Sequence, residues 1–274
     1  MKKTNATSLS LLTFNTLGVP LLSPHTRKRT NQIAKEIEKS GVDIVCLQEV
    51  FSRPRVKQFR NLLKSYPYFA YKPGILGPKG GLVVFSKVPI VFNHFEKYPV
   101  PLDAHVPWYT KLSQNGILTV SLKHKPLTIK TTHLSSAREH SLDESHKFYK
   151  LISGQAMTVA KSVRDDAKAP NDVLLAGDFN IQTQTDLFNE MVKKAHVVDT
   201  SKGDRTPTYF HDRLYKIYHA HSSDRIDHIF ASNKNKYTRV SHVKTMFDSK
   251  APISAHKSSY LSDHIALKCD ISFL

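Results

Sequence analysis

The stretch from Asp172 to Asn180, Asp-Val-Leu-Leu-Ala-Gly-Asp-Phe-Asn, constrains this chain more than any other. Val173 to Ala176 form an apolar run bounded by polar residues, the mark of a short buried strand, and the run delivers Gly177-Asp178-Phe179-Asn180 into the loop beyond its end. A carboxylate and a carboxamide two residues apart on an emerging loop can turn toward one pocket. The first can handle a proton or a cation and the second can hold a phosphate oxygen. Asp and Asn also close ordinary turns, and for this stretch alone that is the simpler explanation. The pattern repeats, however, because other strand-like segments of the chain also finish in Asn, Glu, His or Asp.

Taken in order, Ser8 to Asn15 alternates and then runs apolar, as a strand ending in Asn15. Arg27 to Ser40 sets Ile33, Ala34 and Ile37 on one face and stops at Gly41, the pattern of a helix with a glycine terminator. Val42 to Glu49 is a second buried strand with Glu49 at its exit. Ser52 is placed to cap a helix running through Lys64 on an apolar face of Val56, Phe59, Leu62 and Leu63. Tyr66 to Gly80 is read as a loop and Gly81 to Ser86 as a strand, followed by a long irregular stretch with Trp108 and Tyr109. Ile117 to Lys123 and Pro126 to Thr132 are strands joined tightly around Lys125, the second leading into His133.

Ser141 to Glu144 has capping-box spacing for a helix striped by Phe148, Leu151, Ile152, Ala156, Val159, Ala160 and Val163. Thr183 to Ala195 is a further amphipathic helix, through Leu187, Met191 and Val192. Gly203 to Asp224 is a loop carrying Tyr209, Phe210, Tyr215 and Tyr218, which can line a substrate entrance, dip into lipid headgroups or pack in the core. Arg225 to Phe230 enters a strand, and Ser262-Asp263-His264 opens the last one, Ile265 to Phe273. The expected fold is α/β, a four-layered sandwich of two packed β-sheets flanked by helices. With no linker, repeat or low-complexity tract, residues 1–274 are expected to form a single domain.

The formal charge of +17 marks a surface that concentrates polyanions, and residues 51 to 95 hold Arg53, Arg55, Lys57, Arg60, Lys64, Lys72, Lys79 and Lys87 without one Asp or Glu. An anionic membrane and a nucleic acid both answer that description. Cys46 and Cys269 sit in strand-like runs and are expected as buried free thiols in a reducing compartment. Thr4, Asn5, Thr7 and Ser8 stand where a signal peptide needs its apolar core, and no run is long enough to cross a membrane. A cytoplasmic monomer, peripheral at a membrane, is the expectation.

The candidate residues are Asn15, Glu49, His133, Asp178, Asn180, Asp227, Asp263 and His264. Phosphoester hydrolysis needs such a set. A hard cation, Mg2+ or Mn2+, takes a few oxygen ligands and keeps waters and phosphate in its shell, which suits Glu49 with Asn15. His133 and Asn180 can face the non-bridging oxygens where charge develops. His264 with a carboxylate behind it can take a proton from water. Zinc, cysteine or serine-elbow chemistry finds no matching spacing. Each residue also has a plain structural use: Asn15 in a turn, Glu49 as a solvated strand end, Asp227 as an ion-pair partner of Arg225. His140, His146, His211, His219 and His221 are ordinary surface or loop residues on this reading.

Gln48-Glu49, Thr132-His133-Leu134, Gly177-Asp178-Phe179-Asn180, Arg225-Ile226-Asp227-His228-Ile229 and Ser262-Asp263-His264, in that order, resemble the endonuclease/exonuclease/phosphatase superfamily. Phe14 to Pro20 and Gly81 to Ile90 resemble its neutral sphingomyelinase branch, and Leu17 stands where apurinic-site nucleases usually carry an acid. The resemblance implies that Glu49 is the principal Mg2+ ligand with Asn15 beside it, and that Asp263 bears on the metal or its water. It implies that His133 and Asn180 contact phosphate, that Asp178 orients the nucleophile or assists the leaving group, and that Asp227 holds His264, the general base. Before Gly116, where many relatives carry Lys, this chain has Asn115. The implied activity is Mg2+-dependent hydrolysis of a phospholipid headgroup diester. The alternative is a nuclease on DNA or RNA, with an inositol-lipid phosphomonoesterase and a non-catalytic scaffold further off.

Overall fold

The computed structural model describes residues 8–20, 23–100, 105–106, 113–137, 141–214 and 222–274. Along β1 (Ser8–Asn15) the side chains alternate between two buried faces, Leu9 and Leu11 on one and Leu12 and Phe14 on the other. β2 (Ile44–Gln48) does the same with Ile44 and Cys46 against Val45 and Leu47. A strand apolar on both faces must lie between two layers, and the layers are supplied on each side. The first sheet continues with β3 (Tyr68–Ala70), β4 (Val83–Ser86), β11 (Thr238–Val240), β12 (Lys244–Met246) and β15 (Ala266–Phe273), ordered β11-β15-β1-β2-β4-β3 with β12 also on β15. The second holds β5 (Ile90–Lys97), β6 (Gly116–Leu122), β7 (Leu127–His133), β8 (Asp172–Asp178), β9 (Val197–Asp199) and β10 (Asp227–Ser232), ordered β5-β6-β7-β8-β10-β9. β13 (Ala251–Ser254) and β14 (Lys257–Ser259) form a separate hairpin.

Leu11, Cys46 and Cys269 of the first sheet meet Ile129, Leu174 and Ile229 of the second in a shared inner core. Both thiols are free there, and burial pushes each up to about 12. The outer face of the first sheet packs on Ile33 and Ile37 of α1 (Thr26–Ser40) and on Val56 and Phe59 of α2 (Arg53–Leu62). The outer face of the second packs on Ile152, Val159 and Val163 of α3 (Tyr149–Asp166) and Leu187 and Met191 of α4 (Asp186–Ala195). The order helix, sheet, sheet, helix is the expected four-layered α/β sandwich. Among the described residues no helix is long and apolar enough to cross a membrane.

Several local expectations are corrected. Ser52 makes no side-chain cap bond, and Leu62 is exposed, because α2 ends at Leu62 and turns Leu63 inward instead. The expected loop from Tyr66 contains β3, and the irregular stretch after β4 begins with β5, an edge strand whose exposed Val91 and Phe92 break the half-buried alternation that marks strands in sequence. The Ser141 box caps nothing: Asp143 accepts from the Ser145 amide and hydroxyl in a local turn, and α3 starts only at Tyr149. α4 starts at Asp186, three residues after Thr183, where Thr185 accepts the Phe188 amide. Trp108, Tyr109, His140, Tyr215, Tyr218, His219 and His221 lie outside the described residues.

β7, β8 and β10 are neighbours, and their register sets His133 beside Asp178 and Asp178 beside Asp227. Each is two or four residues along its strand from an inner-core side chain, so period two turns all three toward the first sheet. Gly177 permits this close pairing. A Cβ there would stand 2.1 Å from the Thr132 carbonyl oxygen, at a φ of 153° that side chains rarely adopt. Gly177→Ala is therefore expected to destabilise the fold by roughly 2–4 kcal/mol in urea denaturation; wild-type stability would contradict that packing.

Candidate active site

All eight candidates fall at one end of the sandwich, where the strands of both sheets leave the core. Asn15 joins the sheets: its Nδ2 donates to Glu49 Oε1 at 3.1 Å and to Asp178 Oδ2 at 2.8 Å. Its Oδ1 accepts the Leu17 amide at 3.0 Å, so the turn use and the site use coexist. Glu49 accepts the Gly18 amide through its other oxygen at 3.0 Å and remains half-buried, open to solvent. Asp178 divides its oxygens similarly. Oδ1 accepts the Asn180 amide at 2.9 Å, closing a turn, while Oδ2 faces Asn15, His133 Nε2 at 3.5 Å and His264 Nε2 at 3.7 Å. Asn180 is buried with Nδ2 donating to the Leu134 carbonyl at 2.9 Å, which leaves its second amide hydrogen for another acceptor.

His264 Nδ1 donates to Asp227 Oδ2 at 2.7 Å, with both side chains buried. Asp227 is thus partnered by the imidazole, and Arg225 pairs with Asp204 instead. Burial disfavours the charged ring, but Asp227 and Asp178 outweigh it and push His264 up to about 10. The flanking carboxylates thus favour the imidazolium, a donor, and positive charge placed beside the ring would favour the base. Burial raises the Asp227 carboxyl as well. Asp263, held by the Ser262 hydroxyl at 3.1 Å, is pushed up to about 6 by burial and by the charge of Glu49, against the pull of His264. Tyr209, half-buried in the loop before β10, packs its ring 5.2 Å from that of His264.

The charge balance bears on a metal. Glu49, Asp178, Asp227 and Asp263 converge, and among the described residues none has a Lys or Arg salt bridge. A hard divalent cation fits such a set of carboxylate oxygens, and Glu49 with Asp263 fit best because their oxygens are not spent on the His264 ring. Asp178, Asp227 and His264 also bring ligand atoms within 4.8 Å of one another. The Asp227–His264 contact is a short hydrogen bond, 2.7 Å, between a carboxylate and an imidazole, an arrangement suited to proton handling.

The sequence reading missed the groups that hold these loops. Leu17 and Glu49 adopt left-handed conformations, φ 45° and 60°, that side chains of their kind avoid. Arg29, fully buried on α1, donates to the Leu17 and Leu261 carbonyls, both at 2.6 Å, and to Thr16 and Pro24. Arg55 on α2 donates to the Glu49 carbonyl at 2.9 Å, to Thr16 and to the Thr30 hydroxyl. Burial first, and Arg29 second, hold Arg55 down to about 9. The signal was present: Arg29 shares a stripe with Ile33 and Ile37, and Arg55 with Phe59, at helical spacing of four. Gln48 was named only within the Gln48-Glu49 motif and given no role. It is buried between the sheets, with Nε2 bonded to Thr13 and Thr131. Asn115 lies buried beside Ser135, 3.4 Å away, with its Oδ1 unpartnered among the described residues.

A family model described as "Endonuclease/Exonuclease/phosphatase family" matches residues 12–264. The chain is 29% identical over 191 residues to the Schizosaccharomyces pombe protein named Inositol phosphosphingolipids phospholipase C, an alignment covering 66% of this chain and 43% of that one. It is 28% identical over 193 residues to the Homo sapiens protein named Sphingomyelin phosphodiesterase 2, covering 67% of this chain and 44% of that one. The chain thus spans less than half the length of either relative. Among solved structures, beta toxin 275-280 from Staphylococcus aureus superposes with a TM-score of 0.73 at 18% identity over 95% of this chain and 99% of that one.

Proposed function

Because the chain belongs to the endonuclease/exonuclease/phosphatase family, we propose that it hydrolyses a phosphodiester by in-line attack of water, and that the diester is a phospholipid headgroup of the sphingomyelin kind. The observation that carries the reading is the convergence on Asp178 Oδ2 of Asn15, His133 and His264, with Glu49 behind Asn15. Relatives named as phosphosphingolipid and sphingomyelin hydrolases support the substrate class.

In this reading Glu49 and Asp263 would hold Mg2+, which Mn2+ could replace, and the ion would supply Lewis-acid stabilisation of the charge that develops on the phosphate. Asn15 keeps the Glu49 and Asp178 carboxylates apart and oriented. His133 Nε2 and the free amide hydrogen of Asn180 donate to the non-bridging oxygens as charge builds on them. His264 Nε2 takes the proton of the attacking water, its tautomer fixed by Asp227 on Nδ1. Asp178 orients that water or helps the leaving oxygen to a proton. No covalent enzyme intermediate forms, so the phosphate leaves with one water oxygen.

The charge of +17 supports a second reading, a nuclease on DNA or RNA. A paired assay separates them: phosphocholine release from sphingomyelin vesicles beside nicking of supercoiled plasmid, each in Mg2+ and in EDTA. Lipid cleavage in Mg2+ that EDTA abolishes is expected, and nicking alone would replace this reading with the second. The metal assignment has its own check. Mg2+ at about 100 times its Kd stabilises a protein that binds it only when folded by about 2.7 kcal/mol. That gain, read as a rise in Tm, is expected in the wild type and absent in Glu49→Gln; an equal rise in both would move the metal elsewhere.

A further inference from the structure

Between β3 and β4 the chain folds back on itself at Pro73 and Pro78, which bridge, and presents Ile75 and Leu76 at the tip. These side chains are 86% and 68% exposed, and no other pair of neighbours among the described residues exposes so much apolar surface. The tip is firmly held. The Gly74 amide donates to the Gly77 carbonyl at 2.8 Å, and the Arg53 amide and guanidinium donate to the carbonyls of Leu76 and Gly74. A Cβ on Gly77 would stand 2.3 Å from the Phe51 carbonyl oxygen, so the loop is pressed onto the segment that leaves Glu49. Single exposed apolar residues are common on proteins; a fixed adjacent pair beside a reaction site is not explained by chance exposure.

The surroundings identify the partner. Arg53 and Lys72 are exposed beside the tip, Lys79 is half-exposed at its base, Lys57 is exposed one turn further along α2, and no Asp or Glu occurs between Glu49 and Glu96. We propose that Ile75 and Leu76 insert among the acyl chains of a lipid surface while this basic collar rests on anionic headgroups, setting the Glu49 side of the site against the membrane. An apolar tip alone would equally suit a protein groove. An apolar tip ringed by cations suits the boundary of a bilayer, where apolar burial and headgroup attraction act together. The satisfied carbonyls of Gly74 and Leu76 lower the cost of entering that layer. The β13–β14 hairpin, by contrast, carries Ala255 and His256 at its turn and offers no such tip. This placement rests on the phospholipid reading for its biological sense, but its binding step is independent of hydrolysis.

The experiment measures binding in EDTA, so that no substrate is turned over. Wild type, Ile75→Ser, Leu76→Ser, the double variant and Val198→Ser are sedimented with vesicles of phosphatidylcholine, sphingomyelin and phosphatidylserine, and with vesicles lacking phosphatidylserine. Val198 is 57% exposed on β9 and serves as a surface control. Each tip variant is expected to bind about tenfold more weakly, the double variant more weakly still, and Val198→Ser as wild type. Omitting phosphatidylserine is expected to weaken every protein. Leu76→Cys carrying an environment-sensitive dye, with both native thiols buried, is expected to shift its emission to the blue on vesicles. Hydrolysis of a soluble phosphodiester is expected to be unchanged in the tip variants. Wild-type vesicle binding by the double variant together with an unshifted dye would overturn the proposal, as would a tip that changes only self-association. Vesicle binding through the tip without lipid hydrolysis would retain it and remove the phospholipid reading. Lipid hydrolysis indifferent to the tip would do the reverse.

Discussion

His264→Ala is expected to lower turnover about a thousandfold, within the span of a hundredfold to ten-thousandfold typical of losing a positioned acid–base group. The size of the loss follows from the absence of a substitute. His264 Nε2 stands 3.7 Å from Asp178 Oδ2 with its Nδ1 tied to Asp227 at 2.7 Å, and the other imidazole of the cluster, His133, sits on the far side of Asp178. Asp227→Asn should cost nearly as much while preserving the ring. An amide can present its NH2 to Nδ1, which selects the tautomer with the proton on Nε2 and removes the lone pair that would accept from water. Because the two residues act as one unit, Asp227→Asn in the His264→Ala background should add little. Losses that multiply in the double variant would separate the pair and assign Asp227 to another task. The control is the circular dichroism melt of each variant, since a raised Asp227 carboxyl can take up a proton when its imidazole is removed.

The second large effect is on the fold. Arg29→Met is expected to cost at least about 4 kcal/mol in urea denaturation, with loss of activity below the transition. Methionine fills much of the volume, so packing alone would predict a small loss. It cannot donate, however, and the carbonyls of Thr16, Leu17, Pro24 and Leu261 would be left without the guanidinium. Two of them border the site: Leu17 holds a left-handed φ beside Asn15, and Leu261 precedes Asp263 and His264. Some of the cost is offset because Arg55 is relieved of a cationic neighbour. Arg29→Lys should recover little, since a single ammonium cannot reach carbonyls spread across three loops. A loss below about 1 kcal/mol for Arg29→Met would mean that water serves those carbonyls and that the loops hold themselves.

The strands that matter most were legible because their evidence is local. β1, β2, β7, β8 and β10 are apolar on one or both parities, the first four ending in a polar residue and β10 beginning with one, and each was found within a few residues of its true limits. The layered sandwich followed from the number of strands, more than one βαβ run would use. β5 was missed because an exposed edge strand has no half-buried alternation to show, and β9, β11 and β12 because three residues hold too little pattern to register. The caps failed at Ser52 and Ser141 for another reason. A capping sequence competes with turns that use the same side chains, and at Asp143 the turn prevailed.

Which residues stand at the polar ends of the strands, and which parity they occupy, is written in the chain, because both depend on spacing of two along an extended backbone. Asn15, His133, Asp178 and Asp227 had to point inward once Leu11, Ile129, Leu174 and Ile229 did. What each of them meets depends on packing. That His264 takes Asp227, that Asn15 spans Glu49 and Asp178, and that Arg29 and Arg55 turn inward to grip strained loops all depend on groups brought together from distant parts of the chain. Local periodicity specifies a direction for each side chain. The partner found in that direction is set by how two sheets and their helices pack, which no spacing along one strand encodes.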